Sequence, residues 1–215
     1  MSSTPEEGVI KFTLDYTRRP AEPSIDTSAL SATRQRLWQL GLIGQSPDRY
    51  GGVGYGNVSQ RLKAGENRFL VSGSQTGAIE WLGPDHYALV TGFDMAANRI
   101  SAEGPLPPSS ESLTHAILYA LDPDIQAVLH IHSPDIWHSA AAHGLPETRP
   151  HVGYGTPAMA REAERLFLET DARTRGLFVM GGHTDGVVAF GNSVQGAGNI
   201  LLDCYRMCVK DAGDR

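Results

Sequence analysis

Ile125-Gln126-Ala127-Val128-Leu129-His130-Ile131-His132 is an apolar run that ends in two histidines one residue apart. Asp122-Pro123 stops whatever precedes it, and the run itself predicts a buried β-strand over 125–130. Alternate side chains of a strand share a face, so His130 and His132 project together. Two neutral imidazoles on one face of a strand end suit zinc, iron, nickel or copper. Alone, the pair reads as readily as two hydrogen-bonded histidines beside a polar strand end. A third histidine would close a ligand set. His183, in Gly181-Gly182-His183-Thr184-Asp185-Gly186, is the best candidate, because glycines let the backbone pass close to a ligand.

Upstream, Ser109-Ser110-Glu111 follows the stiff stretch Pro105–Pro108 and opens a helix predicted over 110–121. Glu111 is the candidate base. The bland alternative is a first-turn acid stabilised by the helix macrodipole. The Ser109 and Ser110 hydroxyls, with the unsatisfied N–H groups of a helix start, would form a site for phosphate or carboxylate. A buried carboxylate beside such a site can exchange protons near neutrality. His115, one helical turn after Glu111, reads as a hydrogen-bonded residue rather than a ligand. Two further small-residue loops, Gly54–Ser59 and Ser72–Gly77, read as anion or substrate cradles. Neither matches the phosphate-binding loop with its lysine or the dinucleotide fingerprint. No Gly-x-Ser-x-Gly elbow is present.

Working outward, residues 1 to about 26 read as an N-terminal arm with a short strand over 10–14, and 27–215 as one domain. Helices are predicted from a cap at Asp26 or Ser28 through Leu42, over 134–142 and 193–209, and from the Thr156 cap and Pro157 through Phe167. Further strands are predicted over 58–62, 68–72, 87–91, 177–180 and 186–190, with a turn at 94–99. Without a regular βαβ alternation, the expectation is one layered α/β domain with a mixed sheet.

The chain of 215 residues is 40% apolar and 20% charged with net charge −6, an ordinary globular composition. No basic tract points to nucleic acid or to an anionic membrane surface. Its apolar runs are too short to span a bilayer. Met1–Glu7 lacks the basic start and apolar core of a signal peptide, and Cys204 and Cys208, spaced i, i+4, read as packed thiols. A reducing, cytoplasmic setting is the expectation.

Taken in order, Gly56-Asn57-Val58-Ser59, Ser72-Gly73, Pro108-Ser109-Ser110-Glu111 with His115, His130-Ile131-His132, and His183 followed by Gly186-Val187-Val188 resemble the class II aldolase/adducin family. The resemblance covers about residues 30–205. It implies a three-layer αβα sandwich with a mixed, mostly antiparallel sheet, assembled as a homotetramer with sites at subunit interfaces. It implies Zn²⁺, or another divalent metal such as Mn²⁺, Co²⁺ or Fe²⁺, on His130, His132 and His183, with Glu111 as base. The family's phosphate cradle maps to Asn57, Ser72, Gly73, Ser109 and Ser110. Adducin-type members lack the metal histidines, which this chain keeps.

The activity implied first is that of an aldolase-type lyase. It would act on a small anionic hydroxy-carbonyl compound through a metal-stabilised enediolate. Dehydration, epimerisation and decarboxylation on the same site are the alternatives, and a non-catalytic adducin-like role is a further one. No Schiff-base lysine is suggested: Lys11, Lys63 and Lys210 lie outside the motifs. Family aldolases carry a tyrosine after the His-x-His helix, where this chain has only the short stretch Gly144–Thr156. Tyr154 and His151 are the candidates to replace it as proton donor.

Overall fold

The computed structural model describes residues 8–213. The chain opens with β1 (Thr13–Arg18) and α1 (Ser28–Gln39), then the two-residue strands β2 (Gly44–Gln45) and β3 (Gly54–Tyr55). β4 (Asn57–Arg61), β5 (Phe69–Ser72), β6 (Tyr87–Asp94) and β7 (Arg99–Gly104) follow as a meander. The second half contains α2 (Ser112–Leu121), β8 (Ala127–His132), α3 (Pro134–Ser139), α4 (Pro157–Glu169) and α5 (Ala172–Arg175). It ends with β9 (Leu177–Val179), β10 (Gly186–Gly191) and α6 (Val194–Gly213). Eight strands form one sheet in the order β1-β7-β6-β5-β4-β8-β10-β9. Among the described strands of this sheet only the β1–β7 pair is parallel; the other strand pairings are antiparallel.

Period-two alternation divides the core between the two faces. On β8, Ala127, Leu129 and Ile131 pack with Leu37 of α1, Ile136 of α3 and Leu201 of α6. Val128, of opposite parity, packs with Leu113 and Ile117 of α2 and with Met159 and Ala163 of α4. Each such fully buried large aliphatic side chain contributes roughly 1.5–3 kcal/mol. The result is three layers, with α1, α3 and α6 on one side of the sheet and α2 and α4 on the other. His130 and His132 have the parity of Val128 and so project toward α2 and α4.

The expected cap of α4 is observed: the Thr156 side chain accepts from Met159 N. At α6, Ser193 Oγ accepts from Gly196 N at 3.0 Å. Other elements differ from the sequence expectation. α1 stops at Gln39, and Gly41 takes a positive φ of 69° rather than letting the helix reach Leu42. β6 runs past Thr91 through a bulge to Asp94 and pairs with β7, a strand that the sequence reading assigned to no element. Arg99–Gly104 buries only Ile100, Ala102 and Gly104, too weak an alternation to stand out. Within the stretch read as an arm, Thr13–Arg18 is the edge strand of the main sheet, three to four residues later than the expected one. Among the described residues no helix is long and apolar enough to cross a membrane.

Arg34 of α1 is 1% exposed. Its guanidinium donates to the carbonyls of Ile79, Glu80 (2.8 Å), Thr76 (3.0 Å) and Gly77 (3.3 Å). Burial lowers its pKa to about 10, so it stays charged at neutrality. It thereby ties α1 to the 73–80 loop, and Trp38 Nε1 adds a bond to the Gly77 carbonyl. Arg34→Met is expected to strand these carbonyls and cost on the order of 3 kcal/mol. The urea midpoint reads this loss, and an unshifted midpoint would refute it.

Candidate metal centre and anion cavity

β8 and β10 run antiparallel with His130 opposite Val188 and His132 opposite Gly186. The loop that enters β10 therefore lies at the end of β8 where the histidines sit, and it carries His183. Gly186 is needed there: a Cβ would stand 2.5 Å from His183 Cδ2. Gly182 likewise lies against the Val152 carbonyl with no room for a side chain. One nitrogen from each of His130, His132 and His183 falls within 4.8 Å of the other two, and all three residues are buried. His132 Nε2 and His183 Nε2 are 3.0 Å apart.

Glu111 occupies the N-cap position of α2, yet its side chain makes no cap hydrogen bond. It is 1% exposed, and its Oε1 stands 3.6 Å from both His130 Nε2 and His183 Nε2. The geometry thus separates the two readings of Glu111: the carboxylate faces the imidazoles instead of the helix amides. His130 Nδ1 donates to the Val187 carbonyl at 3.2 Å, which leaves Nε2 as the lone-pair nitrogen aimed at the cluster. That buried Nε2 has no hydrogen-bond partner among the described residues.

These features fit a divalent metal: converging imidazole nitrogens, a fixed tautomer, and burial that keeps the rings neutral. Burial, opposed by the bond to Val187, lowers His130 to about 4. His132 and His183 lie well below the ordinary value through burial first and neighbouring imidazoles second. His115 is lowered to about 3 by burial and by His130. It is no part of the cluster; its Nδ1 bonds Ser59 Oγ at 2.6 Å, and Ser59 bonds the Tyr119 hydroxyl at 2.7 Å.

An unfolded chain binds protons on these histidines near pH 6.5, the folded one only near 4 or below. Acid therefore favours unfolding. The metal-free protein is expected to be fully stable above about pH 6.5 and to lose stability as pH falls toward 4. Thermal melts at constant ionic strength across this range test it, and a flat Tm would contradict it.

A cavity of about 350 Å³ opens beside this cluster, lined by Asn57, Gly73, Ser109, Ser110 and the Ser74–Gly77 segment. Asn57 is the register partner of His130 and joins the two features. Among the described residues no lysine or arginine lines the cavity. Gln75 has a positive φ of 62°. The Gln75–Gly77 segment lines this cavity beside that left-handed residue. Backbone N–H groups around a left-handed turn favour anions. Four of the five expected cradle residues thus share one wall. Ser72 is placed otherwise, its Oγ accepting from Val58 N at 3.1 Å.

Tyr154 is 1% exposed, and its ring packs edge-on against His183 with centroids 4.7 Å apart. Its hydroxyl reaches the Val9 carbonyl at 3.4 Å. His151 is exposed. Lys11, outside every motif, places Nζ 3.6 Å from the Tyr154 ring centroid. Nothing in the sequence around Lys11 signals this, because the contact spans 143 positions, 154 minus 11. Tyr50 and Asp185, the latter inside the His183 loop, are given no role by the sequence and meet beside His132.

The chain belongs to the class II aldolase and adducin family: the family profile described as Class II Aldolase and Adducin N-terminal domain matches residues 48–208. Methylthioribulose-1-phosphate dehydratase of Pseudomonas savastanoi pv. phaseolicola is 46% identical over 77 residues, 36% of this chain and 34% of that protein. The Azotobacter vinelandii protein of the same name is 44% identical over a match of the same length and coverage. The match thus spans about a third of the length of these curated relatives. By structure, the chain is similar to L-fuculose-1-phosphate aldolase from Thermus thermophilus. The TM-score is 0.62 at 19% identity, over 87% of this chain and 93% of that one. It is equally similar to YgbL of Escherichia coli, with TM-score 0.62 at 20% identity over 84% and 85%. At these identities the likeness is one of fold, the mixed and mostly antiparallel αβα sandwich that the family resemblance implies.

Proposed function

We propose that this protein is a divalent-metal-dependent lyase, zinc being the first candidate, that acts on a phosphorylated hydroxy-carbonyl compound. The observation that carries this is Glu111 Oε1, buried and 3.6 Å from two imidazoles of a three-histidine cluster, next to a cavity of amides and hydroxyls. A divalent cation on these imidazoles supplies Lewis acidity that acidifies the C–H bond next to a substrate carbonyl. Glu111 removes that proton. Asn57, Ser109, Ser110 and the Gln75–Gly77 amides hold the phosphate and so fix which carbon faces Glu111. In the family the assembly is a homotetramer, and we carry that assembly into the proposal.

The family resemblance implies aldol cleavage first, with dehydration among the alternatives. The dehydratase names of relatives 44–46% identical over 77 residues favour dehydration. In that reaction the carbon next to the carbonyl loses a proton to Glu111, and the next carbon loses its hydroxyl. The hydroxyl takes up a proton and leaves as water, and an enone remains. Tyr154, against His183, is the proposed second proton carrier. Incubation of the metal-loaded protein with a panel of ketose phosphates, followed by NMR, tests the reading. Loss of water supports it. Release of an aldehyde would replace dehydration with aldol cleavage, and no turnover of any member would overturn the lyase reading.

Ser110→Ala is expected to raise KM about tenfold with little change in kcat, the effect of one lost hydrogen bond to a charged group. An unchanged KM would remove Ser110 from the cradle.

A further inference from the structure

Tyr50 and Asp185 both adopt the left-handed backbone conformation without being glycine, at φ 49° and φ 64°. Such residues cost energy and persist where surrounding contacts over-determine them. Here the two are tied to each other: Tyr50 Oη donates to Asp185 Oδ2 at 2.7 Å across 135 positions. Arg49 Nη2 donates to the Tyr50 oxygen at 2.8 Å, and Arg49 Nη1 holds the Gly41 carbonyl at 2.9 Å and the Tyr55 hydroxyl at 3.0 Å.

The tie lies against the ligand cluster on two sides. The half-buried Tyr50 ring meets the His132 ring edge-on, centroids 4.5 Å apart. Tyr55 packs on the same imidazole at 5.5 Å. Asp185 stands two residues after His183, and its carbonyl accepts from Ser133 N, the residue after His132, at 2.8 Å. One hydroxyl–carboxylate bond therefore spans the loop bearing His183 and the ring that flanks His132.

We infer that Tyr50 and Asp185 are positioning residues of the metal centre, a bolt that holds His132 and His183 at ligand spacing. The inference rests on the metal reading proposed above. Outer contacts of this kind typically tune metal affinity by about 10–100-fold.

Competition for Zn²⁺ against a fluorescent chelator tests it on the full chain. Tyr50→Phe keeps the ring and removes only the donor, and Asp185→Ala removes the acceptor. Each is expected to weaken zinc binding at least about tenfold, with the double variant no worse than either single one. Asp185→Asn keeps an acceptor oxygen and tolerates the left-handed backbone, so it should stay within about threefold of the parent.

Metal-free melting temperatures provide the control. A lower Tm with unchanged zinc affinity would reduce the pair to structural support and overturn the inference, as would fully additive losses. Parent protein that binds no zinc sinks the metal reading and this inference together. Parent protein that binds, with both single variants matching it, sinks the inference alone.

Discussion

Glu111→Gln is expected to keep the metal and lose turnover by about a thousandfold, within the range that removal of a general base produces. The amide has the volume of the carboxylate and fits the same buried space beside His130 and His183. It cannot take a proton. The three imidazoles do not depend on it for their spacing, since His130 is oriented by the Val187 carbonyl and His183 by its loop. Metal content after dialysis should therefore match the parent while kcat collapses and KM moves little. Full activity in the variant would remove Glu111 as base. Loss of the metal would make it a ligand instead.

His132→Ala should have the largest effect on metal binding. It removes one of three converging nitrogens, so the affinity loss should exceed the roughly 100-fold ceiling of outer contacts. The ring is buried between Tyr50 and Tyr55, so truncation also opens a cavity and costs on the order of 2 kcal/mol. His132→Gln fills most of that space and is a poor ligand, which separates the two effects. Both variants should dialyse free of zinc, while only the alanine variant should melt clearly lower. Zinc retained by either would contradict the assignment of His132.

Much of the centre is legible in local sequence. Period-two alternation over 125–132 suffices to put His130 and His132 on one face, and the glycines around His183 mark a close backbone approach. Pro108-Ser109-Ser110-Glu111 announces a helix start with an acid. The weak alternation of Arg99–Gly104 hides β7, and nothing local marks Thr13–Arg18 as an edge strand, because its partner lies 86 positions on, 99 minus 13. Ser72 shows the same limit: its residue type does not announce that its Oγ accepts from Val58 N on the neighbouring strand.

Sequence periodicity alone thus settles which side chains share a face and which residue types stand ready for metal, proton and anion. It leaves open whether Glu111 caps its helix or faces the histidines, and the packing of α2 against the sheet decides for the histidines. The convergence of His183 on β8, the stacking of Lys11 on Tyr154 and the bolt between Tyr50 and Asp185 belong to the tertiary structure. The reason is physical. Faces follow from backbone geometry over a few residues, whereas distances between remote side chains follow from sheet register and loop closure, which only the folded chain brings about.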